Sequence, residues 1–280
     1  MIRLNTPTWI WKLLRFFNIG AEKRLHKNLQ TCDTFIYSLI QTRRDKVAKG
    51  LNLGEDIDLL SRCMDVSDSE VLKDDVYLRD MVINFLIAGR DTTACALSWL
   101  FYELALNPDV EKQLREEIDV SLSGSVPNYD NIKDMPYLQA CLSETQRLHP
   151  SFPYDGKTAL ADDILPSGHK VPRGAQLAFN NYAMGRDEEY WAPDALVFRP
   201  SRWLDKSGLY EKVDPFKFPA FQAGPRLFLG IDMAHLEMKI TTILLLQKFR
   251  FRLCAGQNIT YRLTLVLQMK NPLMMTAEVI

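Results

Sequence analysis

Between Val76 and Leu106 the chain carries its longest apolar-rich segment, and this stretch limits what the rest can build. Its flanks, Met81 to Ala88 and Ala94 to Leu106, are mostly apolar on all sides, the pattern of a central helix buried all round. In its middle stands Ala88-Gly89-Arg90-Asp91-Thr92-Thr93. Glycine, aspartate and threonine are poor helix formers, and their side chains compete for backbone hydrogen bonds. Two explanations stay open: a kink or satisfied polar turn, and an acid and alcohol pair that lines a site.

A chain of 280 residues builds one sizeable domain or two small ones. With 47% apolar and 25% charged residues it is neither disordered, collagenous nor a disulfide scaffold. A net charge of -1 argues against a nucleic-acid partner. Cys32, Cys63, Cys95, Cys141 and Cys254 show no paired or metal-ligand spacing, and all but the first two lie among apolar residues, so they read as reduced core thiols. No run approaches the ~18 consecutive apolar residues of a spanning helix. Ahead of the first acid, Glu22, the apolar residues Trp9 to Phe17 are mixed with Arg3, Lys12 and Arg15. An amphipathic surface helix, a transit peptide and a piece of a domain whose start is missing all fit that stretch.

Helical spacing of Leu25, Leu29, Cys32, Ile36, Leu39 and Ile40 predicts a long helix from Glu22 to Val47 with one buried face. Gly50 to Asp56 reads as a linker, Ile57 to Met64 as a short helix, and Asp65 to Asp75 as an acidic, serine-containing connection. Asn107 followed by Pro108 stops one helix and starts another that runs to about Gly124. A further helix, Met135 to Leu148, carries Glu144-Thr145-Gln146-Arg147, with the acid and base three apart on one face. Most such pairs are solvated and contribute little. Ser151 to Asn181 has the turn residues of hairpins, and Tyr182 to Trp203 is irregular. A helix is expected from about Leu229 to Phe249, and alternation predicts antiparallel strands at Phe249 to Leu253 and Ile259 to Met269.

From Phe218 to Gly230 an apolar strand end is expected to run into a loop of small residues before that last helix. Gly224 and Gly230 admit backbone angles or contacts that a side chain forbids, and Arg226 offers a fork of donors to a carboxylate. Residue 228, between them, is phenylalanine.

Four motifs in this order, Ala88-Gly89-x-Asp91-Thr92-Thr93, Glu144-x-x-Arg147, Arg202 in Phe-Arg-Pro-Ser-Arg-Trp, and Phe221-x-x-Gly224-x-Arg226-x-Phe228-x-Gly230, resemble the cytochrome P-450 superfamily of haem-thiolate monooxygenases. The flavour is that of the eukaryotic fatty-acid omega-hydroxylases, and the resemblance runs from about Pro7 to the end. It implies a mainly α fold with small antiparallel β sheets, the C-terminal part of the cytochrome P-450 fold, as one partial domain over residues 1–280. It also implies Asp91 and Thr92 as proton-delivering residues, and Phe221, Gly224, Arg226 and Gly230 as haem-binding positions with Arg226 on a propionate. Glu144, Arg147 and Arg202 become a buried ion network, with Ser201 replacing the family's glutamate before Arg202. The implied partners are NADPH-cytochrome reductase and a lipid substrate, on the cytosolic face of the endoplasmic reticulum membrane.

Two departures qualify what the resemblance implies. The family places its iron-ligating cysteine where this chain has Phe228, and a phenyl ring has no lone pair for a metal. The resemblance also begins past the family's membrane anchor, first strands and much of its substrate roof, so strands near Lys157 to Asn181 are expected to keep open edges and the long helix to lose part of its cover. One account is a truncated, degenerate hydroxylase copy, or an imperfect gene model or read, since cysteine and phenylalanine codons differ by one base. The other is a non-catalytic protein of this fold that binds a lipid or a partner.

Overall fold

The computed structural model describes residues 6–49, 58–65 and 74–280. They divide into two units whose boundary falls inside one helix, between Ala88 and Gly89. Gly50 to Asp56 and most of Asp65 to Asp75 lie outside the described residues.

In the first unit, α1 (Thr8–Phe16) buries none of its residues and leaves Trp9, Leu13 and Phe16 exposed. The long helix α2 (Gly20–Ala48) was expected to bury a full stripe, but only Ile36 and Ile40 of that stripe are buried, while Leu25, Leu29, Cys32 and Leu39 are exposed. The reason is local: a single turn of α2 meets Leu60 of α3 (Leu59–Asp65) and Leu78 of α4 (Asp75–Leu106). Ion pairs flank this small core, Arg43 to Asp58 at 2.6 Å and Arg79 to Asp33 at 2.5 Å.

The helix α4 stays α-helical through Ala88 to Thr93. Contrary to its apolar pattern it is not buried all round. Val76, Tyr77, Leu86 and Ile87 are exposed, whereas Cys95, Ala96, Trp99, Leu100 and Leu104 are buried. The second half owes its burial to neighbours that follow in the chain. Asn107 precedes α5 (Pro108–Leu122), with proline at the first position, yet its side chain does not cap that helix. It turns back instead, and its amide donates to the Glu103 carbonyl at 2.8 Å. Asn128 and Asn131 cap α6 (Tyr129–Ile132) reciprocally.

The helix that is buried nearly all round is α7 (Pro136–Leu148), where Ser143, Glu144, Thr145, Gln146 and Arg147 are all inside. Its first N–H groups, those of Tyr137 and Leu138, donate to the Glu117 carboxylate of α5 at 2.7 Å each. Leu100, Leu114, Ile118, Leu138, Leu142 and Ile243 form the main core that joins α4, α5 and α7 to the later α10.

Beyond α7, β1 (Asp155–Thr158) would end in open chain without its partner β4 (Gln176–Phe179), and between them lie β2 (Asp163–Ile164) and β3 (Lys170–Val171). Short helices α8 (Asn181–Met184) and α9 (Glu188–Trp191) and a 3-10 turn at Pro200–Trp203 follow. Next comes α10 (Ile231–Leu246), then β5 (Phe249–Leu253), β6 (Tyr261–Leu263), β7 (Leu267–Met269) and β8 (Met275–Val279). Ile259 to Met269 is thus a hairpin, β6 on β7, and the partner of β5 is β8, with Phe249 opposite Val279. The turn at residues 264–266 reverses the chain where one strand was expected. Each described sheet has two strands, so each strand keeps an open edge.

Candidate functional site

Glu144 is fully buried and accepts five hydrogen bonds. Oε1 takes Arg147 Nη2 at 2.7 Å, Arg202 Nε at 2.9 Å and the Arg199 backbone N–H at 2.8 Å. Oε2 takes Arg147 Nε and Trp203 Nε1, both at 2.8 Å. A carboxylate taken from water is costly unless its lone pairs and charge are answered, and here they are. Arg147 spends its remaining donors on backbone carbonyls of Gly185, Ala195 and Val197, and Arg202 on those of Trp191 and Asp194. Asp194 supplies a second acid, 2.9 Å from Arg199 and 3.4 Å from Arg202. The three residues Glu144, Arg147 and Arg202 are therefore brought together. Sequence reasoning did not assign Trp203, Asp194 or Gly185 to the cluster. Trp203 stood in the quoted motif, and only its burial reveals its indole N–H as a donor.

The loop from Phe218 to Gly230 is two 3-10 turns, Pro219–Phe221 and Gly224–Arg226, and no strand leads into it. Proline after Phe218 and after Gly224 sets the tight turn angles. Gly224 has a φ of +64°, which suits glycine. Gln222 at +68° has no such excuse, and that strained backbone is accompanied by a hydrogen bond from its side chain to Asp155. Arg226 is exposed.

Phe228 is half-buried, and its N–H donates to the Phe221 carbonyl at 2.9 Å. Its ring stacks on that of Phe221, with centroids 6.4 Å apart and planes at 22°. The same ring lies against Gly230, where an added β-carbon would stand 3.1 Å from two of its atoms. Phe221 in turn meets the His235 ring edge to face at 5.0 Å. Burial, with Lys239 as a lesser cause, pushes the His235 imidazole down to about 4.

Asp91 and Thr92 are adjacent on α4 and differ in exposure. Consecutive helical residues point about 100° apart, and Asp91 is exposed beside Arg262 and Gln268. Thr92 is half-buried, and its carbonyl accepts from Ser151 Oγ at 3.0 Å. The next hydroxyl, Thr93 Oγ1, is buried with no hydrogen-bond partner among the described residues. A methyl on Gly89 would meet nothing within 4 Å among the described residues.

A haem held through a thiolate does not fit these residues. Position 228 presents ring carbons already stacked on Phe221, and the imidazole that follows it is packed against the same phenyl ring. Cys95 and Cys141 are buried thiols, the first donating to the Leu267 carbonyl at 3.0 Å. Burial pushes the Cys95 thiol up to about 12 and the Cys141 thiol well above its usual range, so neither forms a thiolate readily. Among the described residues no three or more His, Cys, Asp or Glu side chains converge on a metal position, and no helix is long and apolar enough to cross a membrane.

Comparison with known proteins adds an independent finding. The family model for cytochrome P-450 matches residues 3–277. The chain is 41% identical over 277 residues to cytochrome P-450 704C1 of Pinus taeda, an alignment that covers 92% of this chain and 53% of that protein. It is 36% identical over 308 residues to cytochrome P-450 704B1 of Arabidopsis thaliana, covering 96% and 59%. Against cytochrome P-450 86B1 of the same plant the identity is 36% over 288 residues, covering 98% and 51%. The chain spans about half the length of the curated relatives it matches.

Proposed function

The chain belongs to the cytochrome P-450 family, and from that premise we propose that it is a member whose oxygen chemistry has been removed at residue 228. The ancestral reaction in this reading is hydroxylation of a long-chain fatty acid or similar lipid by molecular oxygen. Its electrons come from NADPH-cytochrome reductase at the cytosolic face of the endoplasmic reticulum membrane. The observation that carries the loss is Phe228 itself, a ring stacked on Phe221 where a metal ligand would need a lone pair. Asp91, Thr92, Phe221, Gly224, Arg226 and Gly230 are then the remains of catalytic and cofactor-binding positions, and Glu144, Arg147 and Arg202 are structural.

The test is the carbon monoxide difference spectrum of the purified full chain, together with NADPH-dependent product formation in the presence of reductase. The expected result is no thiolate-type band and no product. A thiolate-type band or hydroxylated lipid from the unaltered chain overturns the reading.

A second reading, a retained non-catalytic protein that binds a lipid or a partner, is favoured by the completeness of the Glu144 network, in which the carboxylate accepts five hydrogen bonds. A retained protein unfolds cooperatively, whereas a degenerate remnant aggregates or behaves as a molten globule. Calorimetry of the purified chain separates the two.

A further inference from the structure

Within the second unit, α6, α7, α10 and the segment after the Trp203 turn enclose an open cleft of about 750 Å³. That size lies within the ~300–1,000 Å³ of small-molecule sites. Its walls are apolar and partly aromatic, with Met135, Phe218, Phe221, Leu227 and Leu236 among them. Such walls need a polar group to orient a guest.

Two are provided, one turn apart on α10. Lys239 is only 6% exposed, and its ammonium donates to the carbonyls of Ile132 at 3.3 Å and Lys133 at 3.0 Å. Those two bonds leave a third N–H, and no carboxylate comes within ion-pair distance of this buried cation among the described residues. Glu117 and Asp134 act on this charge only from beyond ion-pair distance, so a carboxylate brought directly to the ammonium adds a contact that neither of them makes. His235, four residues earlier and so on the same helix face, lines the same cleft. Neither of its ring nitrogens has a hydrogen bond among the described residues. Burial and the Lys239 charge keep the ring neutral at physiological pH, which leaves one N–H to donate.

Glu117 of α5 has the largest effect of any charge on Lys239, followed by Asp134, and both oppose the burial that lowers the ammonium's proton affinity; the other charges around the cleft are weaker influences. Lys133 is tied to Asp130 at 3.2 Å. Asp134, Asp232 and Lys212 line the cleft but are exposed, where water and salt screen them.

We propose that this cleft binds an organic acid, with an aromatic body against Phe218 and Phe221 and a carboxylate on the Lys239 ammonium and the His235 ring. The site does not use residue 228 and does not rest on the reading of that position. It shares Phe221 with the positions inferred for cofactor binding, and none of the others lines it.

The test uses the full chain with carbon-13-labelled histidine, whose four imidazoles give four resonances, titrated with 2-naphthoate. The expected result is a saturable shift of one resonance, the one that disappears in His235→Gln. The neutral 2-naphthamide should bind at least tenfold more weakly, and 2-naphthylmethylammonium should leave the resonance unmoved. Lys239→Met should weaken naphthoate at least tenfold. Because that ammonium also holds the end of α6, the unaltered chain with the three probes carries the test if the variant does not fold. No shift with millimolar naphthoate, equal affinity for the amide, or a shift confined to another histidine overturns the proposal.

Discussion

Trp203 Nε1 donates to Glu144 Oε2 at 2.8 Å, and neither side chain is exposed to solvent. The indole shares that oxygen with Arg147, while Arg202 and the Arg199 backbone take the other. One carboxylate therefore serves as counter-ion for two guanidinium groups and as anchor for the irregular segment that ends at Trp203. Its removal leaves two buried cations with only carbonyls and Asp194 to face.

Glu144→Gln, nearly the same shape, tests that arithmetic. It takes away the negative charge and turns an amide donor toward donors. Breaking a buried pair on one side costs about 3–5 kcal/mol, and at roughly 2–4 °C per kcal/mol for a unit of this size the melting temperature should fall by about 10 °C. Arg252→Ala supplies the contrast. Its pair with Glu278 spans 3.9 Å with both side chains 67% exposed, and such pairs contribute about 0–1 kcal/mol. Thermal melts followed by circular dichroism read both, and equal losses would remove the network from its structural role.

Two glycines should respond to alanine in opposite directions. At Gly185 an added β-carbon would collide with the Arg147 carbonyl oxygen and crowd that of Asn181, and both are backbone. Neither can step aside without moving α7 or α8, so Gly185→Ala should cost about 3 kcal/mol or more, as overpacked sites do. Gly89 sits inside α4 with nothing among the described residues within 4 Å of an added methyl. Gly89→Ala should stabilise by roughly 0.5–1 kcal/mol, the helix-interior penalty of glycine. Denaturation midpoints in urea at unchanged slope decide both.

Stability should fall in mild acid because of one buried and one half-buried imidazole. His235 is pushed from 6.5 down to about 4 by burial. His149, stacked on Trp99 with centroids 4.0 Å apart, is also lowered by burial, against the opposing pull of its bond to Glu103 at 2.7 Å. Both rings bind protons more readily in the unfolded chain. Their contribution is complete above about pH 6.5 and is lost as pH falls, for His235 through about 4. His235 alone accounts for about 2–3 kcal/mol over that window. In His235→Gln the unfolding free energy between pH 7 and 4 should lose that much of its slope, and an unchanged slope would assign the acid sensitivity elsewhere.

The order and approximate extent of the long helices were legible because periodicity survives in a single chain. Their burial was not. The spacing of Ser143 to Arg147 reads as solvated, and only the motif resemblance implied a buried ion network there; the segment is enclosed because acceptors for Arg147 arrive from Gly185, Ala195 and Val197, far along an aperiodic stretch. The apolar Leu86 and Ile87 read as core and are exposed. Pairing was equally hidden: β5 takes β8 across the β6 and β7 hairpin, and nothing in the alternation of residues 249–253 names a partner at 275–279. At the candidate site the motifs gave the residue types. The contacts of Phe228 with Phe221 and Gly230 required coordinates.

Those contacts permit a sharper test of what residue 228 does to its own loop. A β-carbon at residue 230 would stand 3.1 Å from the Cε1 and Cζ atoms of Phe228, tighter than ordinary packing. The ring would have to give, and its stacking on Phe221 would give with it. Gly230→Ala should therefore destabilise the chain by about 1–2 kcal/mol. Phe228→Cys removes the ring atoms that crowd the methyl, so Gly230→Ala should cost less in that background. A double-mutant cycle should show a coupling of at least ~0.5 kcal/mol between the two positions, as expected for side chains in contact. Additive losses would mean that the ring is free to leave Gly230, and that the aromatic packing does not hold residue 228 in place.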